Sequence, residues 1–139
     1  MQDSRFSHSF DTLQQISQDI LNQAKKDGAS ACEAEVSQGF GQNVTVRQNE
    51  VETIEYNRDK GLGVTVYFGQ RRGHASTSDL SPEAIRDTVK AACSIAKHTA
   101  SDDFAGLADE ALLAKDIPEL DLYHPWELPV EQAIVLAQE

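Results

Sequence analysis

From Phe10 to Lys26 the apolar residues return at steps of three and four: Phe10, Leu13, Ile16, Ile20, Leu21 and Ala24. That spacing collects them on one face of a helix. Asp11 and Gln14, three residues apart, make a candidate capping box at its start. Lys25 and Lys26 sit where the helix dipole is negative, and Gly28 suits the position just past the end. Such a stripe needs a surface to cover, so the helix is expected to lie on a sheet.

The pattern then changes to alternation. Cys32, Ala34 and Val36 alternate with Glu33, Glu35 and Ser37 over Ala31–Gln38, and Val44 and Val46 alternate with Thr45 and Arg47 over Gln42–Gln48. Gly39-Phe40-Gly41 reads as the turn between them, and Asn49-Glu50 as a two-residue turn. Val51–Tyr56 is ambiguous in phase, and Asn57–Lys60 is polar and turn-like. Gly61–Phe68 is the clearest strand, with Leu62, Val64, Val66 and Phe68 on one face. After a tight turn at Gly69-Gln70, Arg71–Ser78 completes the set. Short connections leave no room for crossover helices, so the sheet is expected to be antiparallel with one face buried.

Ser81-Pro82-Glu83 is a strong helix start: a capping serine, a proline where its missing N–H costs nothing, and an acid at the positive dipole end. Ile85, Val89, Ala92 and Ala96 form its stripe, and the small residues Ala84, Ala91, Ala92 and Ala96 would let a neighbour come close. Lys97 and His98 close the last turn. From Thr99 to Pro129 three prolines punctuate an acidic stretch that still carries Leu112, Leu113, Ile117, Leu120, Leu122, Tyr123 and Trp126. It reads as an extended, docked segment with a short turn at Glu110–Leu113. Pro129-Val130-Glu131 begins a further helix containing Ala133, Ile134 and Ala137. That helix reaches Glu139 without a capping residue, which suggests a chain cut from something longer.

A chain of 139 residues with 40% hydrophobic residues can bury a real core. The formal charge of −11 is unevenly placed: residues 1–101 are at −2 and residues 102–139 at −9. An acidic chain of this kind is a poor nucleic-acid binder, since phosphate recognition rests on Lys and Arg. No apolar run is long enough for a membrane span, and no signal-peptide core opens the chain. Two cysteines, Cys32 and Cys93, fit a reduced, cytoplasmic setting better than a disulfide framework.

Candidate chemistry is sparse. No His-Glu pair of the zincin type occurs. A cluster of Cys32, Cys93, His74 and His98 is the one metal set the chain could assemble, and its irregular spacing is unlike structural zinc sites. His124-Pro125-Trp126-Glu127 joins a base, an aromatic and an acid, but the proline prevents a helical convergence of His124 and Glu127. That stretch reads as a loop anchored by Trp126. No nucleophile elbow is present. Cys93 lies mid-helix, where it behaves as a small hydrophobe. Gly39-Phe40-Gly41 and Gly61-Leu62-Gly63 lack the third glycine and the following helix of a phosphate cradle. Arg71-Arg72 beside His74 is a basic spot that could meet a carboxylate of a peptide or partner, or simply be an exposed turn. No residue is assigned a catalytic, cofactor-binding or metal role.

An ordered series of segments nevertheless carries a resemblance: Glu50-Val51-Glu52-Thr53-Ile54-Glu55-Tyr56-Asn57, Gly61-Leu62-Gly63-Val64-Thr65-Val66-Tyr67, the run from Gly73 to Ile85, and Leu120-Asp121-Leu122-Tyr123-His124-Pro125. Together they resemble the N-terminal region of the TldD/PmbA family, most closely its PmbA (TldE) branch, over about Ala31 to Ala137. The resemblance implies the first third of a subunit in a two-subunit peptidase. TldD-type subunits carry a zinc-binding His-Glu-x-x-x-His helix beyond this region; PmbA-type subunits lack it and pair with TldD. The assembly is associated with maturation of a peptide antibiotic and degradation of an antitoxin. None of the family's metal ligands maps onto residues 1–139, so zinc is expected on the partner TldD-type subunit and no cofactor in this chain.

The expectation is therefore an α+β fold: an antiparallel sheet of four to five strands with two helices on one face, followed by an extended acidic linker. Residues 1–100 would form the domain and 101–139 the linker and the start of the next helix. The opposite sheet face, with Thr45, Arg47, Thr65 and Tyr67, would be exposed or used for contact. The expected function is a non-catalytic module of a metallopeptidase complex, with a TldD-type subunit and peptide as partners and no nucleic acid or membrane. A freestanding acidic interaction module is the alternative, and a small hydrolase built on the Cys/His set is a third reading.

Overall fold

The computed structural model describes residues 5–139. In chain order the elements are α1 (Phe10–Lys26), β1 (Ala31–Arg47), β2 (Glu50–Phe68), β3 (Arg71–Thr77), α2 (Pro82–His98), a 3₁₀ turn (Glu110–Leu112) and α3 (Val130–Gln138). The strands form one sheet in the order β1-β2-β3. The chain divides into two compact units, one holding the residues up to Gly39 with Arg58–Ala108, the other Phe40–Asn57 with Asp109–Glu139. β1 and β2 contribute residues to both.

In the first unit, both helices begin on a serine. Ser9 Oγ accepts the Thr12 amide and Ser81 Oγ accepts the Ala84 amide. Each satisfies one of the amides a helix start leaves without an internal partner. The cap of α1 is thus Ser9, not the Asp11/Gln14 box: the helix starts two residues too early for Asp11 to cap it. Its other end closes as the Gly28 position suggested. Gly28 takes φ +93 and its amide reaches Lys25 O, while the Ala29 amide reaches Ala24 O. These are the paired bonds of a Schellman ending.

The core joins Ile20 and Ala24 of α1, Leu62, Val64 and Val66 of β2, and Ile85, Val89, Ala92, Cys93 and Ala96 of α2. Cys32, Ala34 and Val36 of β1 pack against its edge. Both helices therefore cover the sheet face that the alternation in Gly61–Phe68 marked. Burying each fully enclosed Val or Ile there contributes roughly 1.5–3 kcal/mol. The small residues of α2 meet β3. A Cβ added at Gly73 would collide with the Ala92 carbonyl oxygen and lie 2.5 Å from the Ala96 amide nitrogen. Only glycine permits that approach.

Three strands replace the four to five expected. Gly39-Phe40-Gly41 and Asn57–Lys60 do not turn; β1 and β2 run straight through them. Gly39 and Gly41 take none of the left-handed conformations that a glycine turn would use. Their composition reflects exposure instead, because a hydrogen-bonded ladder satisfies the backbone without any side chain being buried. The real hairpin turn lies one residue earlier than expected, at Gln48 and Asn49, with φ +52 and +65. Two successive positive φ values define the type I′ turn that matches strand twist. At the other hairpin the expected Gly69-Gln70 turn is present, with Gly69 at φ +60.

In the second unit, the Arg47 guanidinium lies 3.5 Å from the Glu52 carboxylate beside the turn, and the Gln138 side-chain amide donates to Asn49 O. The 3₁₀ turn and α3 start close to where the sequence placed them. Trp126, expected as an anchor, is 74% exposed. Leu112, Ile117 and Leu122 are exposed as well.

Candidate functional site

The helix-free face of the sheet in the first unit carries the polar side chains that strand alternation directs away from the core. Glu33 comes from β1, Gly63, Thr65 and Tyr67 from β2, and Arg72 and His74 from β3. The β2–β3 register sets Thr65 opposite His74 and Tyr67 opposite Arg72. Thr65 Oγ1 and His74 Nδ1 are hydrogen-bonded at 3.0 Å. The His74 ring reaches over Gly63, whose missing side chain leaves it room: an added Cβ would stand 3.4 Å from Cε1. On the other side, Tyr67 Oη donates to Glu33 Oε1 at 3.2 Å.

These contacts correct one expectation. Thr65 and Tyr67 are only 6% and 5% exposed. They lie on the middle strand, so side chains from the strands on both sides close over them. Thr45 and Arg47, farther out on an edge strand, are exposed as expected. Burial first, then the Glu33 carboxylate, pushes the Tyr67 phenol above its usual range, with Arg72 pulling the other way. The tyrosine is thus held as a neutral donor. Its chemistry is that of a fixed hydrogen-bonding floor rather than of a base.

The Cys/His set does not assemble. Cys93 is in the core and Cys32 packs against it, whereas His74 is on the opposite sheet face. His98 Nδ1 donates to Ser94 O at the end of α2. Burial, helped by Cys93 and Glu33, pushes the Cys32 thiol up to about 11, and burial raises Cys93 as well. Such thiols are poor ligands and poor nucleophiles, because both roles need the thiolate. Among the described residues no three His, Cys, Asp or Glu side chains converge as a metal site, so these donors do not fit zinc. His124 lies 3.7 Å from Asp121 rather than converging with Glu127, and both partners are exposed. Arg71 donates to Lys97 O, which ties one of the two turn arginines to the end of α2. The Thr65–His74 and Tyr67–Arg72 pairs were within reach of the sequence, because a two-residue turn at Gly69-Gln70 fixes them by counting outward.

Residues 32–96 match the family model "PmbA/TldA metallopeptidase domain 1". Metalloprotease PmbA of Escherichia coli O157:H7 is 50% identical over 117 residues, covering 84% of this chain and 25% of that protein. The PmbA homologue of Haemophilus influenzae is 49% identical over 114 residues, covering 82% and 25%. The chain belongs to the PmbA/TldD family. It spans about a quarter of the length of these PmbA relatives, somewhat less than the third expected.

The fold of this family domain recurs in solved structures. TldE from Thermococcus kodakarensis superimposes with a TM-score of 0.65 at 16% identity, covering 75% of this chain and 23% of that one. A protein from Bacteroides thetaiotaomicron described as a modulator of DNA gyrase gives 0.71 at 19% identity, covering 80% and 25%. No helix among the described residues is long and apolar enough to cross a membrane.

Proposed function

We propose that this chain is the N-terminal, non-catalytic module of a PmbA/TldE-like subunit in a TldD/PmbA metallopeptidase complex, working in the cytoplasm. The observation that carries the reading is the 50% identity to a PmbA metalloprotease over 84% of the chain. In this reading zinc is held by a TldD-type partner subunit, and this chain contributes to the subunit interface and to the chamber that admits peptide. Its polar sheet face supports a role in contact rather than in bond cleavage, since Tyr67 and His74 are already paired within the sheet. The division into residues 1–100 as the folded domain and 101–139 as the connection to the remainder of the subunit belongs to the same proposal.

Co-expression of a PmbA subunit with a TldD-type subunit tests it. The PmbA subunit containing this module should co-purify with TldD and raise its peptidase activity. Deleting residues 1–100 should abolish both effects. Undiminished association and activity after the deletion would refute the proposed role.

A further inference from the structure

In the first unit a cavity of about 250 Å³ opens where residues 5–7 lie against β1 and β2. Three cations line it: Arg5, Arg58 and Lys60. That is a concentration of positive charge on a chain with 12 basic and 23 acidic residues. Asp59 also borders the cavity, one acid against the three cations. Phe6 supplies an apolar wall. The floor is fastened: Ser7 Oγ and the His8 amide both donate to Gln38 Oε1, and Gln38 Nε2 donates back to His8 O. Arg5 and Arg58 each already have an interaction partner, and the Lys60 charge also acts on the Asp79 carboxylate.

We infer that this cavity binds the C-terminal carboxylate of a peptide. Cations at its rim favour an oxyanion through charge-assisted hydrogen bonds. Its volume lies just below the range of ligand and cofactor pockets, which suits one residue-sized group. Phe6 gives that group's side chain an apolar surface beside the charged end. The choice of a peptide, rather than a free anion, rests on the peptidase reading above.

The test is fluorescence anisotropy with an N-terminally labelled tetrapeptide ending in leucine, as the free acid and as the C-terminal amide. The free acid should bind and the amide should bind at least tenfold more weakly. Lys60→Gln should weaken the free acid roughly tenfold, the scale of one charged hydrogen bond. Lys60→Arg should restore it, and Lys90→Gln, the same charge change on the exposed face of α2, should leave it unchanged. Equal binding of acid and amide, no measurable binding, or indifference to Lys60→Gln would overturn the proposal. So would displacement by inorganic phosphate as effective as by unlabelled peptide, which would make it a free-anion site. Co-purification of Lys60→Gln with a TldD-type subunit is measured in parallel. Retained association with lost peptide binding supports the cavity; retained association with unchanged peptide binding overturns the cavity alone; association lost in wild type overturns the module reading instead.

Discussion

β2 is one strand with two characters. Residues 50–60 are exposed along their whole length, while residues 61–68 alternate and then become buried on both faces. Both halves keep the same backbone conformation. The outer half is held mainly by its ladder to β1, and the inner half by that ladder, by β3 and by two helices. Hydrogen bonding is enough to make a strand, but burial is what makes its side chains costly to change. Substitutions of one type placed in each half, or on the strand beside it, should therefore diverge.

Glycine to alanine gives the widest divergence. At Gly73 the new methyl meets the backbone of α2, which can give way only by moving the helix. Gly73→Ala should cost about 3 kcal/mol, the upper end of overpacking, seen as a lower denaturant midpoint. Gly39→Ala meets nothing within 4 Å and requires no unusual φ. It should be neutral or stabilise by up to ~0.5 kcal/mol by stiffening the unfolded chain. Equal losses at both sites would show that the two regions are equally packed and break the comparison.

Truncation of apolar side chains should follow the same order with a smaller spread. Val66 is fully buried between the sheet and the helices. Val66→Ala should cost about 2 kcal/mol in lost transfer energy and cavity. Ile54 in the outer half is exposed, and Ile54→Ala should cost less than ~0.5 kcal/mol. If Ile54→Ala costs as much as Val66→Ala, the outer half has a packing partner that its exposure does not reveal.

The inner region should also reveal itself through pH. The Cys32 thiol rises from 9.0 to about 11, and the Tyr67 phenol rises above 10.0. Each group holds its proton more tightly folded than unfolded. Its stabilisation is complete below the unfolded pKa and is lost as pH climbs through the folded one. The thermal midpoint should be flat up to about pH 9 and fall between 9 and 11. At pH 8 the thiolate fraction of Cys32 is ~100-fold below that of a free thiol, so iodoacetamide should alkylate it correspondingly slowly. Rapid alkylation in the native state would mean that this part of the sheet is open to water.

These contrasts also explain what could be read in advance. Both long helices were legible to within a residue, because Ser81-Pro82-Glu83 and the three-four stripes are local features with few competing meanings. The strands were legible as strands but not as continuous ones. Gly39, Gly41, Asn57 and Asp59 are residues that make turns and also residues that an exposed ladder tolerates, and nothing local separates the two. The buried state of Thr65 and Tyr67 depends on β2 being the middle strand, which is a property of the sheet and not of the segment. The cavity was the least accessible. Arg5 and Arg58 are far apart in sequence, and no spacing rule links them.

The smallest expected effect lies at the hairpin tip. Gln48 and Asn49 both occupy left-handed backbone. Asparagine tolerates it well, glutamine less so, and glycine best. Replacing the pair with Asn-Gly, the preferred type I′ sequence, should add about 0.5 kcal/mol or less to global stability. The Asn49 carbonyl that accepts from Gln138 belongs to the backbone and survives the change. Because the tip contributes no side chain to the core of the first unit, its amides exchange through local opening rather than global unfolding. The double variant should therefore slow hydrogen exchange at residues 47–52 by up to severalfold while leaving exchange at Val64 and Val66 unchanged. Equal slowing at both places would mean that the strand opens as one unit and that its two halves are not energetically separate.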